Sequence, residues 1–162
     1  MAPPVGMLIG HSFVQGLQQH LDPRNQASPS EMARKLSVHR IIHSFHFYGQ
    51  RGAQVCSRSF MLPHRLLTHT NPDFVILDLG SNDLASGIPP FQVATKLLEL
   101  ADILRSRYHV NTVIIASVLH REAHLRHITP AQFSTAAYQT NNYLKNFADT
   151  HPHVFYHLHK GF

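Results

Sequence analysis

Three short stretches of this chain carry residue types suited to acyl chemistry. They are Gly10-His11-Ser12, Tyr48-Gly49-Gln50-Arg51-Gly52-Ala53 and Gly80-Ser81-Asn82-Asp83. Ser12 follows an apolar run that stops at Gly10. It reads either as a nucleophile on a strand-to-helix turn or as a helix N-cap, which its position would also suit. Attack by a hydroxyl on an ester builds charge on the carbonyl oxygen. Preorganised N–H donors aimed at that oxygen are worth roughly 3–4 kcal/mol each. A glycine lets the backbone approach closely, and an asparagine amide donates without bringing a charge. Ser12 at a helix start also offers its own N–H, where the helix dipole favours negative charge.

A serine needs a base within about 3 Å to act as a nucleophile at neutral pH. His11 is adjacent in sequence, which does not aim its ring at Ser12, so it reads as a packing or hydrogen-bonding residue. His120 follows an apolar run, and His157 and His159 lie near the chain end. His159 and His120 are the candidate substitute bases. His120, His124 and His127 with Glu122 invite a metal reading, but the segment lies between a strand and a helix cap and no cysteine supports it, so no metal or cofactor is expected. Asp78 interrupts the run Phe74–Leu79. A buried carboxylate needs partners, and backbone N–H groups near the Ser12 turn are the expected ones. Asp83 is expected to cap the short segment after Asn82.

The elements that must position these groups alternate. Val5–Gly10 reads as a buried strand, and Ser12–Leu21 as a helix with Phe13, Val14, Leu17 and Leu21 on one face. Ser28-Pro29-Ser30-Glu31 has the form of a capping box that starts a short helix. Val38–Tyr48, rich in β-branched and aromatic residues, reads as a second strand. Residues 54–68 read as a helix broken near Pro63. Further strands are expected at Phe74–Leu79, Thr112–Leu119 and Val154–His159. A helix after Pro89-Pro90 carries Val93, Leu97, Leu100, Ala101 and Leu104 in register, and another opens at Thr129-Pro130-Ala131-Gln132. Strands alternating with helices imply an α/β fold with a parallel sheet covered on both faces. Ligands of such sheets bind beyond the carboxyl ends of the strands, where the three stretches fall.

The composition agrees with one folded domain: 162 residues, 43% apolar and 14% charged. No apolar run reaches the roughly 18 residues of a membrane span, and no signal peptide is expected. The lone Cys56 requires no oxidising compartment, so a cytoplasmic location is the expectation. The formal charge is +5, which raises the prospect of a nucleic-acid partner. The cations are scattered, however, with no basic block.

In their order and placement the three stretches resemble the signature blocks of the SGNH hydrolases, the GDSL-type esterases and lipases. The resemblance implies a three-layer α/β/α sandwich with a flavodoxin-like five-stranded sheet in the order 2-1-3-4-5. It implies Ser12 as nucleophile, Gly52 (or, less well placed, Gly49) and Asn82 as oxyanion donors, and a small-molecule ester as substrate. The family commonly has Asp where His11 stands. Its fourth block, Asp-x-x-His, supplies the base, and no Asp-x-x-His occurs after residue 150. Residues 1–162 therefore read as one such domain without that block and the last helix, and either an esterase or an inactive form. The alternatives are a non-catalytic binding module on the same scaffold and a nucleic-acid-associated accessory domain of a mobile-element protein.

Overall fold

In the computed structural model, which describes residues 3–38 and 40–159, five strands form one parallel sheet. They are β1 (Val5–Gly10), β2 (Ser44–Gly49), β3 (Phe74–Asp78), β4 (Thr112–Ala116) and β5 (Val154–His157), in the spatial order 2-1-3-4-5. Six helices join them: α1 (Ser12–Leu21), α2 (Pro29–Lys35), α3 (His64–Thr70), α4 (Ser81–Ala85), α5 (Pro90–Tyr108) and α6 (Pro130–Thr150). Of the expectations above, His39 and the Lys160-Gly161-Phe162 end lie outside the described residues.

The sheet separates two apolar clusters. Met7, Ile9, Val75, Leu77, Val113 and Ile115 point to one face and meet the buried side of α5 and α6, including Val93, Leu97, Leu104, Phe133 and Leu144. Phe45 and Phe47 point to the other face and meet Val14 of α1 and Met32 and Ala33 of α2. This is the three-layer α/β/α arrangement. The alternation of inward and outward residues along each strand sends neighbours to opposite layers, so near-continuous apolar strands are required.

Local chemistry fixes the helix starts. Ser28 accepts the Glu31 N–H while the Glu31 carboxylate accepts the Ser28 N–H at 2.6 Å. Thr129 and Gln132 make the same reciprocal pair at the start of α6. Each cap is worth about 1 kcal/mol. The α5 helix ends at His109, whose φ of 56° is left-handed.

Two expected elements differ most, and β4 and β5 also end earlier than expected, at Ala116 and His157. The second strand begins at Ser44, not Val38. The Val38 N–H donates to Ala33 O, and the Ile41 and Ile42 N–H groups donate to Val38 O. These local turns use the groups a ladder would need, and Ile41 is left 72% exposed. Residues 54–63 are turns and coil rather than helix, and α3 starts only after Pro63. Here the Val55 and Cys56 N–H groups donate to the Asp83 carboxylate at 3.0 and 2.8 Å. Non-local bonds and burial of Ala53 and Val55 override a helical preference that is only a weak prior.

Candidate active site

Strand β1 lies between β2 and β3, so the chain leaves its carboxyl end toward one layer and leaves that of β3 toward the other. That point of reversal is where a parallel sheet opens a crevice. Ser12 opens the helix after β1, and Asn82 lies in the helix after β3. The crevice is a cleft of about 410 Å³ whose walls include Ser12, Gly52, Asn82, His120 and Arg121. Three turns distant in sequence are thus brought to one place.

The helix cap is His11, not Ser12. His11 Nδ1 accepts the Phe13 N–H at 3.3 Å. Ser12 is the first helical residue, is exposed, and its hydroxyl has no hydrogen-bond partner among the described residues. With Nδ1 engaged as an acceptor, the neutral His11 ring carries its proton on Nε2. That atom stands 3.9 Å from Asp78 Oδ1. Burial pushes the His11 pKa down, partly opposed by Asp78, while Arg121 lowers it further. Burial pushes the Asp78 carboxyl up. Asp78 therefore faces an imidazole, and among the described residues it takes none of the backbone N–H groups expected for it.

Of the two glycines in the second stretch, Gly52 lines the cleft and Gly49 does not. Gly52 has φ of +70°, in the left-handed region that glycine enters without penalty. Gly49 is where the end of β2 touches α1: a Cβ there would fall within 2.6 Å of Gln15 Cα. It is a packing glycine that lets the helix carrying Ser12 lie against the sheet.

The Asn82 amide is held from both sides. Its Nδ2 donates to Ala53 O at 3.1 Å, and its Oδ1 accepts from Arg121 Nη1 at 3.0 Å. The first bond ties Asn82 to the residue after Gly52. It uses one of the two amide N–H groups and leaves the other. Asp83 is not a cap. It lies inside α4, fully buried, and its carboxylate anchors the loop of the second stretch through Val55 and Cys56. Burial raises its pKa despite those bonds.

The two candidate bases lie apart. His120 is on the wall of the Ser12 cleft, and its Nε2 is 3.5 Å from Glu122 Oε1. His159 instead lines a neighbouring apolar groove with Leu8, Ile76 and Ile114, and its backbone N–H donates to Ser117 Oγ at 3.1 Å. His124 also reaches the cleft, but no group of three or more metal-ligating side chains is placed to hold an ion among the described residues. No helix among them is long and apolar enough to cross a membrane.

Arg121 was not foreseen. Its Nη1 also donates to Ser81 Oγ at 3.2 Å, its Nε to Ala123 O at 3.3 Å and its Nη2 to His124 O at 3.1 Å. Burial lowers its pKa. Its one sequence signal is its place directly after His120 in a strand-end segment.

The chain matches the GDSL-like Lipase/Acylhydrolase family over residues 8–162 and belongs to that family. Its fold is shared with solved structures of low sequence identity. The psychrotrophic esterase EstA from Pseudoalteromonas sp. superposes with a TM-score of 0.61 at 16% identity, covering 95% of this chain and 77% of that one. An acetyl xylan esterase, AlAXEase, gives 0.59 at 13% identity, with 90% and 73% covered. A Streptococcus pneumonia protein gives 0.59 at 14% identity, and this chain spans 98% of its own length but 66% of that structure's. No curated protein sequence matches the chain.

Proposed function

We propose that the protein hydrolyses small carboxylic esters at Ser12. The observation that carries this reading is the single cleft at the sheet's reversal point, lined by Ser12, Gly52 and Asn82 together. In the proposed reaction Ser12 Oγ attacks the ester carbonyl carbon and gives its proton to a base. The carbonyl oxygen becomes an oxyanion held by the Gly52 N–H, the remaining Asn82 Nδ2–H and the Ser12 N–H. Collapse releases the alcohol, which takes up the proton, and leaves an acyl group on Ser12. Water then repeats the sequence, releasing the acid and restoring the serine.

The base is assigned to His120. It shares the cleft with Ser12, and with its Nε2 proton toward Glu122 its Nδ1 keeps a free lone pair. His11 is less suited to this role, because its Nδ1 already accepts the Phe13 N–H. His159 belongs to the adjacent groove.

The test is labelling by a fluorophosphonate together with hydrolysis of phenyl acetate. EstA, which shares the fold, is known in a form inhibited by monoethylphosphonate. Labelling of the wild type, its loss in Ser12→Ala, and a parallel loss of turnover are the expected results. His120→Gln is expected to remove the acid limb of the pH–rate profile, and His159→Gln to leave it. Unlabelled wild-type protein with the same ester background as Ser12→Ala overturns the proposal and leaves a binding module.

A further inference from the structure

The cleft carries more positive charge than ester hydrolysis asks for. Arg51 and Arg121 both line it, and its one carboxylate, Asp78, is turned toward His11. Arg121 is half-buried, and every acceptor it meets is neutral: Ser81 Oγ, Asn82 Oδ1 and the carbonyls of Ala123 and His124. A guanidinium has five N–H groups. Those four bonds leave one on Nη2 without an acceptor among the described residues. The ring of Phe133 lies 5.9 Å from its centre and further restricts it. Arg51 is exposed at the opposite turn, with no ion pair or hydrogen bond among the described residues. A cation withdrawn from water is costly unless an anion answers it. Here the fold fixes the cation, and among the described residues no carboxylate pairs with it.

We propose that the missing charge comes with the substrate: the cleft takes an ester that bears an anionic oxygen group, held between Arg51 and Arg121 beside Ser12. This rests on the hydrolytic reading for the ester but not for the charge. A guanidinium that is already oriented loses little freedom on binding such a group, and its planar donors match a carboxylate. The reaction's own oxyanion does not account for two arginines, because it is transient and already has three donors.

The decisive measurement separates ground-state charge from catalysis. Acetanilide and 3-acetamidobenzoate are unreactive amides that differ by one carboxylate. Their binding to the full chain is followed by NMR titration at low and at high salt. The charged compound is expected to bind about tenfold more tightly at low salt, as one charge-assisted contact provides. The advantage should shrink with salt. Arg51→Gln should reduce it, and Arg121→Gln should reduce it while Arg121→Lys retains part of it. Equal affinity for the two amides, or a preference that survives both glutamine variants, overturns the proposal. Arg51 is a surface residue, so its variant stays informative if Arg121→Gln does not fold. Hydrolysis of phenyl acetate against 3-acetoxybenzoate is a separate arm. If neither ester shows Ser12-dependent turnover, the hydrolytic reading fails and the amide titrations still decide the charge preference.

Discussion

Arg121 Nη1 stands 3.0 Å from Asn82 Oδ1, and so decides which way round that amide sits. With Ala53 O on the other side at 3.1 Å, a flipped Asn82 would oppose donor to donor and acceptor to acceptor. The amide's orientation is therefore fixed, with one Nδ2–H left over from the bond to Ala53 O. Asn82→Ala is expected to lower kcat for phenyl acetate by about 10²–10³, the usual loss for one oxyanion donor. Asn82→Asp should be at least as damaging, since it keeps the bond to Arg121 but replaces the donor with a negative charge. Steady-state kinetics beside a thermal melt separate this from a folding defect.

Asp83 links two of the three turns, so its loss should be felt in stability first. Removing the carboxylate leaves the Val55 and Cys56 N–H groups without their acceptor. Asp83→Ala is expected to cost roughly 2–4 kcal/mol, from two bonds to a buried charged group. Urea unfolding measures it. Faster tryptic cleavage after Arg51 and Arg58 would locate the damage in the loop.

The starts of α1, α2 and α6 are legible because their causes are local. Gly10 and Ser12 mark the strand-to-helix turn, and Ser28 with Glu31 and Thr129 with Gln132 mark helix starts within four residues. The loop after Gly49 is not legible, because its conformation is set by Asp83, 27 and 28 residues away. Val38 and residues 40–43 have strand-like composition, yet such preference mostly reflects a fit to a half-buried pleated surface, and here Val38 O is taken up by local turns with Ile41 and Ile42. Of the cleft's walls, Ser12 and Asn82 lie in stretches whose residue types stand out in the sequence, and Gly52 is singled out by the resemblance. Arg121 does not stand out. Its meaning lies in contacts made 39 and 40 residues away, with Asn82 and Ser81.

Acid should weaken the fold through two imidazoles. Burial holds His11 and His46 below the ordinary histidine pKa, with His69 adding repulsion at His46. The folded chain then binds these protons less readily than the unfolded chain. Their contribution is complete above about pH 6.5 and is lost as pH falls toward their folded values. Melting temperatures at pH 7.5 and 5 should fall less for the double variant His11→Gln, His46→Gln than for the wild type. An identical fall in both proteins would contradict the assignment.

Cys56 should be a slow thiol. Burial and the neighbouring Asp83 carboxylate push its pKa up to about 12, so almost no thiolate exists at neutral pH. Iodoacetamide at pH 7.5 is expected to leave the native chain unmodified over times that alkylate a free cysteine fully. In denaturant it should modify the same residue at the ordinary rate.

The wall that carries His120 and Arg121 begins at Val118, and Asn141 of α6 holds that residue by both backbone groups. Asn141 Oδ1 accepts the Val118 N–H at 2.8 Å, and Nδ2 donates to Val118 O at 3.0 Å. One side chain thus imitates a neighbouring strand, extending the ladder two residues past Ala116, the last residue of β4. The loop is riveted at its root, so any opening of the cleft on this side must pivot beyond Val118. The Val118 amide should then resist hydrogen exchange far longer than its position at the start of a loop implies.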